Sequence, residues 1–145
     1  MSEIEWPVTP NTSAMTVQVL DNTTAPASIL DAGLASTVRI TWTVPPPTNT
    51  ILGGSFRLRG FAESIGPGQE IQIGLTVVVP VTPPTVSYTA DMLVAAGTLL
   101  GEGELFGGVP VSGVYKIIAV LQHLNPGPTE ASGFAEATIR MFRTP

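Results

Sequence analysis

The chain of 145 residues contains no cysteine, so no disulfide stabilises it, and the small cystine-stapled secreted class is excluded. A domain of this length buries roughly 68–70% of its unfolded surface and needs no staple. Charge is also scarce: 12% of residues are charged, where about 25% is usual. The six cations and eleven acids leave a net charge of −5. That balance argues against nucleic acid and anionic membrane surfaces, both of which select a basic stripe. Aromatic residues reach only 6%, which is thin for a sugar-stacking platform, with Trp6 and Tyr88 as its contributors. No run approaches the ~18 apolar residues of a membrane span. Residues 1–7 carry neither a basic leader nor an apolar core. The expectation is synthesis in the cytoplasm, without membrane insertion, and incorporation into a particle. Asn11-Thr12-Ser13 and Asn22-Thr23-Thr24 match glycosylation sequons by chance in a threonine-rich chain.

Recognisable chemistry is missing too. His123 is the one histidine. With no cysteine and no acidic cluster beside it, it reads as a polar residue at a strand end rather than a metal ligand. No Gly-x-Ser-x-Gly elbow supplies a serine nucleophile. Glu102 and Glu104 are paired acids, but they lie in a glycine-rich loop with nothing to separate their pKa values, so they read as solvated. Asp21, Asp31 and Asp91 do not form a calcium loop. No phosphate-cradling glycine motif occurs. The expectation is a protein that is not an enzyme, with no cofactor and no metal.

What is present is a series of short β-rich runs separated by proline and glycine. Residues 1–14 carry Pro7 and Pro10 without periodicity and read as an extended N-terminal arm anchored by Trp6. Residues 15–145 read as a single domain. Ser36–Val44 alternates, with Val38, Ile40, Trp42 and Val44 on the core side, and Pro45-Pro46-Pro47 stops it. In Ser55–Glu63, Phe56 and Leu58 point inward and Arg57 and Arg59 outward, with Gly60 expected to be a bulge that re-aims Phe61. Glu70–Val79 places Ile71, Ile73, Leu75, Val77 and Val79 in phase. Val86–Val94 follows. Residues 95–111 read as loose and glycine-rich, with a short helical turn at 95–100. Ser112–Gln122 is the longest run that is apolar on both alternating faces and is expected to be the central strand. Ser132–Phe142 is the last. These runs predict an all-β fold, an antiparallel β-sandwich of about seven to eight strands.

The run Gly113-Val114-Tyr115-Lys116-Ile117 resembles the entrance to strand F of immunoglobulin-like and fibronectin type III-like domains. There a tyrosine hydroxyl caps the preceding corner. The resemblance is one of architecture over residues 14–142. It lacks the cysteine pair, and Trp42 falls on the second strand rather than the third. It implies that the third strand, strand F and the last strand are neighbours in one sheet. Their outer face then gathers Arg57, Arg59, Lys116, Ile118, Val120, Phe134, Arg140 and Phe142, apolar in patches and basic at its edges. Opposite charge sits at Glu102 and Glu104.

An apolar face of that size marks a contact site, and complementary charge elsewhere on the chain suits head-to-tail association. The expected function is a structural, self-assembling building block of a filament, shell or phage-like particle. It contacts copies of itself or another structural protein through this face and through the arm bearing Trp6. The alternative is a carbohydrate- or protein-binding module using the loops Pro45–Gly54, Pro80–Pro84 and Leu124–Ser132.

Overall fold

The computed structural model describes residues 3–5, 12–46, 53–124, 129–137 and 140–144; for residues 3–5, 12–13 and 129–136 the backbone alone is described. The described residues contain strands and turns and no helix. The strands are β1 (Glu3–Glu5), β2 (Thr12–Leu20), β3 (Ile29–Asp31), β4 (Ser36–Thr43), β5 (Ser55–Ser64), β6 (Glu70–Pro80), β7 (Ser87–Val94), β8 (Leu105–Phe106), β9 (Val109–Pro110), β10 (Val114–Leu124), β11 (Thr129–Glu136) and β12 (Arg140–Arg143). That is more segments than the punctuation of the sequence suggests.

One group of strands places β4 between β2 and β7, antiparallel throughout. The other is built on β10, which pairs with β5 along ten residues on one edge and with β11 and then β12 on the other. β6 lies outside β5. β1 pairs with both β11 and β2 and so joins the two groups. Residues 3–5 of the arm are therefore a strand of their own chain's sheet. β3 runs parallel to β12, the one parallel pair among the described strands.

The alternation of the sequence explains most of the burial. Along β10, Tyr115, Ile117, Ala119, Leu121 and His123 are buried and the residues between them are half-buried. β4 and β7 alternate in the same way. These inward residues meet in one core. Trp42 of β4 stacks on Tyr88 of β7, with ring centroids 5.5 Å apart, and meets the edge of Phe56 from β5 at 5.3 Å. Each such side chain contributes about 1.5–3 kcal/mol by burial, and each ring pair about 0.5–1.5 kcal/mol more. Trp42 is thus a core residue, as its phase predicts. Tyr88 is one as well, so it offers no ring to a sugar.

His123 is fully buried rather than a surface residue at a strand end. Its Nε2 donates to the Gly53 carbonyl at 2.7 Å, and its ring tilts against Phe56. Position 123 has the inward parity of β10, and the Gly53 carbonyl supplies the partner that makes a buried imidazole tolerable.

Two strands break phase. On β6, the four steps from Ile73 to Val77 lie opposite the two from Gly60 to Leu58. The extra residues loop out at Gly74, whose φ is +66°, and Leu75 is expelled from the expected inward set to 85% exposure. Gly60 itself does not re-aim its strand: Arg57, Arg59 and Phe61 remain on one side of β5. A side chain at position 60 would press on Met92 and Ile73, so its glycine serves close packing. The last strand is interrupted after β11. Ala137 is buried, and β12 then restarts so that Phe142 is 3% exposed.

Residues 95–111 are not loose. Turns replace the expected helical turn, and Leu99, Gly101 and Val111 are buried. Leu105–Phe106 and Val109–Pro110 form a two-stranded hairpin.

Candidate interaction face

Residues directly opposite one another on paired strands share a face of the sheet. Outward residues of β5 and β10 therefore form rows: Arg57 with Gln122, Arg59 with Val120, Phe61 with Ile118, and Glu63 with Lys116. β11 extends three of them, placing position 132 beside Gln122, position 134 beside Val120 and position 136 beside Ile118. β6 adds Val78 beside Arg57 and Gln72 beside Phe61. The face is basic at the Arg57 end, apolar in the middle and of mixed charge at the Lys116 end.

The structure thus brings Arg57, Arg59, Lys116, Ile118 and Val120 together. Phe134 takes its expected register position by backbone, while its side chain lies outside the described residues, as does Trp6 altogether. Arg140 and Phe142 are corrections. Arg140 pairs with Tyr115, whose side chain points inward. Phe142 packs edge-on against Tyr115 at 5.6 Å. β12 has the opposite phase to β11 and Ala137, so both take the inner side.

The geometry at the basic end is specific. Arg57 donates to Gln122 Oε1 through Nε at 3.1 Å and Nη2 at 2.5 Å. Arg59 Nη2 donates to the same oxygen at 3.1 Å. Arg59 Nε is buried with no hydrogen-bond partner among the described residues. Among the described side chains no carboxylate reaches either guanidinium; the ion pair they form is Arg39 with Asp91, on the other sheet. Two like charges thus converge on one neutral amide oxygen, which bears only partial negative charge. A carboxylate placed there gains charge-assisted hydrogen bonds and relieves the repulsion.

The middle of the face carries a shallow groove of about 340 Å³ between Phe61, Ile71, Gln72 and Ile118, bordered by Glu63 and Glu70. A second cleft, about 390 Å³, opens between the edges of β6 and β7, where Leu75 and Leu93 stand out beside Val77 and Met92.

At the far end of β10, Tyr115 fixes the loop before the hairpin. Its hydroxyl donates to the Leu100 carbonyl at 2.9 Å, and Gln69 Oε1 accepts from the Leu100 amide at 3.0 Å. Burial raises the Tyr115 phenol above its ordinary value; the Leu100 bond opposes this and the nearby Glu104 charge adds to it. Glu104 Oε1 accepts from the Gly101 amide at 3.0 Å, so it is tied to its own turn rather than simply solvated. Glu102 is exposed. Among the described residues no three His, Asp or Glu side chains cluster to hold a metal.

Three elements escaped the sequence reading. Gln122 shares the outward parity of Val120, but no local pattern marks it as the acceptor of two arginines. Phe61 was expected to turn away at Gly60. The hairpin was hidden inside a glycine-rich stretch, although Leu-Phe-Gly-Gly-Val-Pro carries its signal: a Gly-Gly pair between apolar residues suits a two-residue turn.

Comparison with known proteins finds no family profile that matches this chain and no curated protein that matches it.

Proposed function

We propose that this chain is a non-catalytic structural module, an immunoglobulin-like β-sandwich that joins neighbouring copies through the outer face of β5 and β10. The strand neighbours support the architecture: β2–β4–β7 on one side and β6–β5–β10–β11 on the other match the order expected for such sandwiches. The Tyr115 hydroxyl bonded to a carbonyl fifteen residues upstream supports it as well. Assembly is carried by one observation above the rest. Arg57 and Arg59 converge on Gln122 without a carboxylate among the described side chains, beside the apolar Val120 and Ile118. A charge pair left open beside apolar surface is the chemistry of a docking site.

Light scattering across protein concentration tests this reading. The expected result is a mass that rises with concentration, and a Val120→Glu variant that stays folded and monomeric. A variant that folds and still assembles removes this face from the contact. A wild-type chain that is monomeric at every concentration removes the building-block reading.

A further inference from the structure

We infer that the β8–β9 hairpin of one copy is the plug that docks on the Arg57–Arg59 end of the sheet face of the next. The inference rests on the building-block reading and names its contact. The hairpin contributes little to its own chain. Leu105 is 65% exposed, and Phe106 and Val109 are each 50% exposed. Its turn glycines, Gly107 and Gly108, have no atom of the described residues beyond their chain neighbours within 4 Å of their Cβ positions. A two-stranded ribbon without a sheet or helix to pack on is marginal in water. Its base is nevertheless anchored: Val111 is buried, and the Gly103 and Val111 amides bond to the Val111 and Glu104 carbonyls. The result is a rigidly rooted apolar tip whose partner lies outside the chain.

Charge and distance identify that partner. The base of the hairpin carries the exposed Glu102, and the half-buried Glu104 follows it. The sheet face offers the reverse, apolar Val120 beside Arg57 and Arg59 with no carboxylate from the described side chains. A hairpin cannot satisfy its own chain. It enters β10 at Val114, while Arg59 lies opposite Val120 and Arg57 opposite Gln122. Those positions are about 20 and 26 Å along the strand at about 3.3 Å per residue. From the buried Val111 the tip at Gly107 reaches at most about 14 Å. Plug and socket sit at opposite ends of one sheet, so each copy presents one of each. Such a heterologous contact propagates into a ring or a filament rather than closing as a two-fold dimer. Phe106 is the natural anchor, since aromatic side chains dominate contact energies, and Glu102 supplies the carboxylate.

Two single-sided variants of the full chain test this, with mass measured by analytical ultracentrifugation. Phe106→Ser blunts the plug; Arg57→Glu/Arg59→Glu reverses the socket. Thermal unfolding of each first establishes that it is folded, and Glu102→Lys serves as a second, milder plug variant that weakens association more at low salt than at high. Each single-sided variant is expected to be monomeric alone, with association weakened about thirtyfold or more. A 1:1 mixture of the two is expected to form a dimer and nothing larger, because one intact plug meets one intact socket. If Phe106→Ser assembles like wild type while Val120→Glu does not, the face is an interface and the hairpin is not its occupant. A mixture that stays monomeric, or that rebuilds large assemblies, also overturns the inference. A wild-type chain that never assembles overturns both this inference and the reading beneath it.

Discussion

Gly113 stands where the hairpin segment enters β10, and replacing it with alanine puts the local geometry to a quantitative test. Its φ is +73°. A Cβ there would lie 2.5 Å from the Phe142 carbonyl oxygen and 2.6 Å from the Glu102 nitrogen. Those two atoms bond to each other at 2.8 Å, and the Phe142 amide bonds to the Gly113 carbonyl at 2.7 Å. The methyl group would wedge into a backbone junction joining three segments, none of which is a side chain that can swing aside. The left-handed conformation costs an alanine of order 1–3 kcal/mol. Leaving a buried backbone group unpaired costs about 1–3 kcal/mol. The stiffer unfolded chain returns about 0.4–1 kcal/mol. The net expectation for Gly113→Ala is a loss of about 1–5.5 kcal/mol centred near 3, or a fall in Tm of roughly 10 °C. Gly107→Ala is the control, because its φ is also positive, +59°, but nothing lies within 4 Å. It isolates the conformational cost, about 1 kcal/mol after the unfolded-state gain. Urea unfolding of both variants with unchanged m-values is the assay. Equal losses within about 0.5 kcal/mol would refute the steric argument and leave backbone strain alone.

Two further tests address the other sheet features. Ile73 is fully buried and Leu75 is exposed, so Ile73→Ala should cost about 2–5 kcal/mol and Leu75→Ala should stay within about 0.5 kcal/mol of wild type; similar losses at both would mean that β6 is not looped out at Gly74. The Arg39 guanidinium, bonded to the Asp91 carboxylate at 2.8 and 2.9 Å, holds that carboxyl below its ordinary range. A depressed folded pKa contributes stability above the unfolded value of about 3.9, and loses it as pH falls through the lower folded value. Asp91→Asn should therefore show a shallower loss of stability between pH 5 and 2, with the difference shrinking in high salt; parallel curves for variant and wild type would show that the pair has no linkage to folding.

Much of the fold was legible because strand periodicity is a local property. β4, β5 and β7 alternate cleanly, so their inward residues, Trp42 and Phe56 among them, follow from spacing alone, whereas β10 is apolar on both faces and the inward side of Tyr115 comes from the resemblance to strand F. Parity also sets Arg57 and Arg59 outward, while their gathering with Lys116, Ile118 and Val120 is what the resemblance implied and the pairing of β5 with β10 shows. The errors fall where phase changes without a marker in the sequence. Leu75 keeps the parity of Ile73, yet is expelled because β5 offers two residues for every four on that part of β6. Arg140 and Phe142 change sides because β12 pairs in its own register with Val114 and Tyr115 and with the parallel β3, out of phase with β11.

The sequence by itself determined that the protein is all-β, that it has no disulfide, and which side of each regular strand is apolar. Those properties reside in composition and in a two-residue period that any stretch of chain carries with it. The tertiary structure decided the rest. It set Arg57 and Arg59 on one amide oxygen, buried His123 against the Gly53 carbonyl, and lifted Leu105, Phe106 and Val109 clear of the core at the end of the sheet remote from the arginines. These arrangements depend on register and on contacts between residues up to 70 positions apart. No local window of sequence contains both partners.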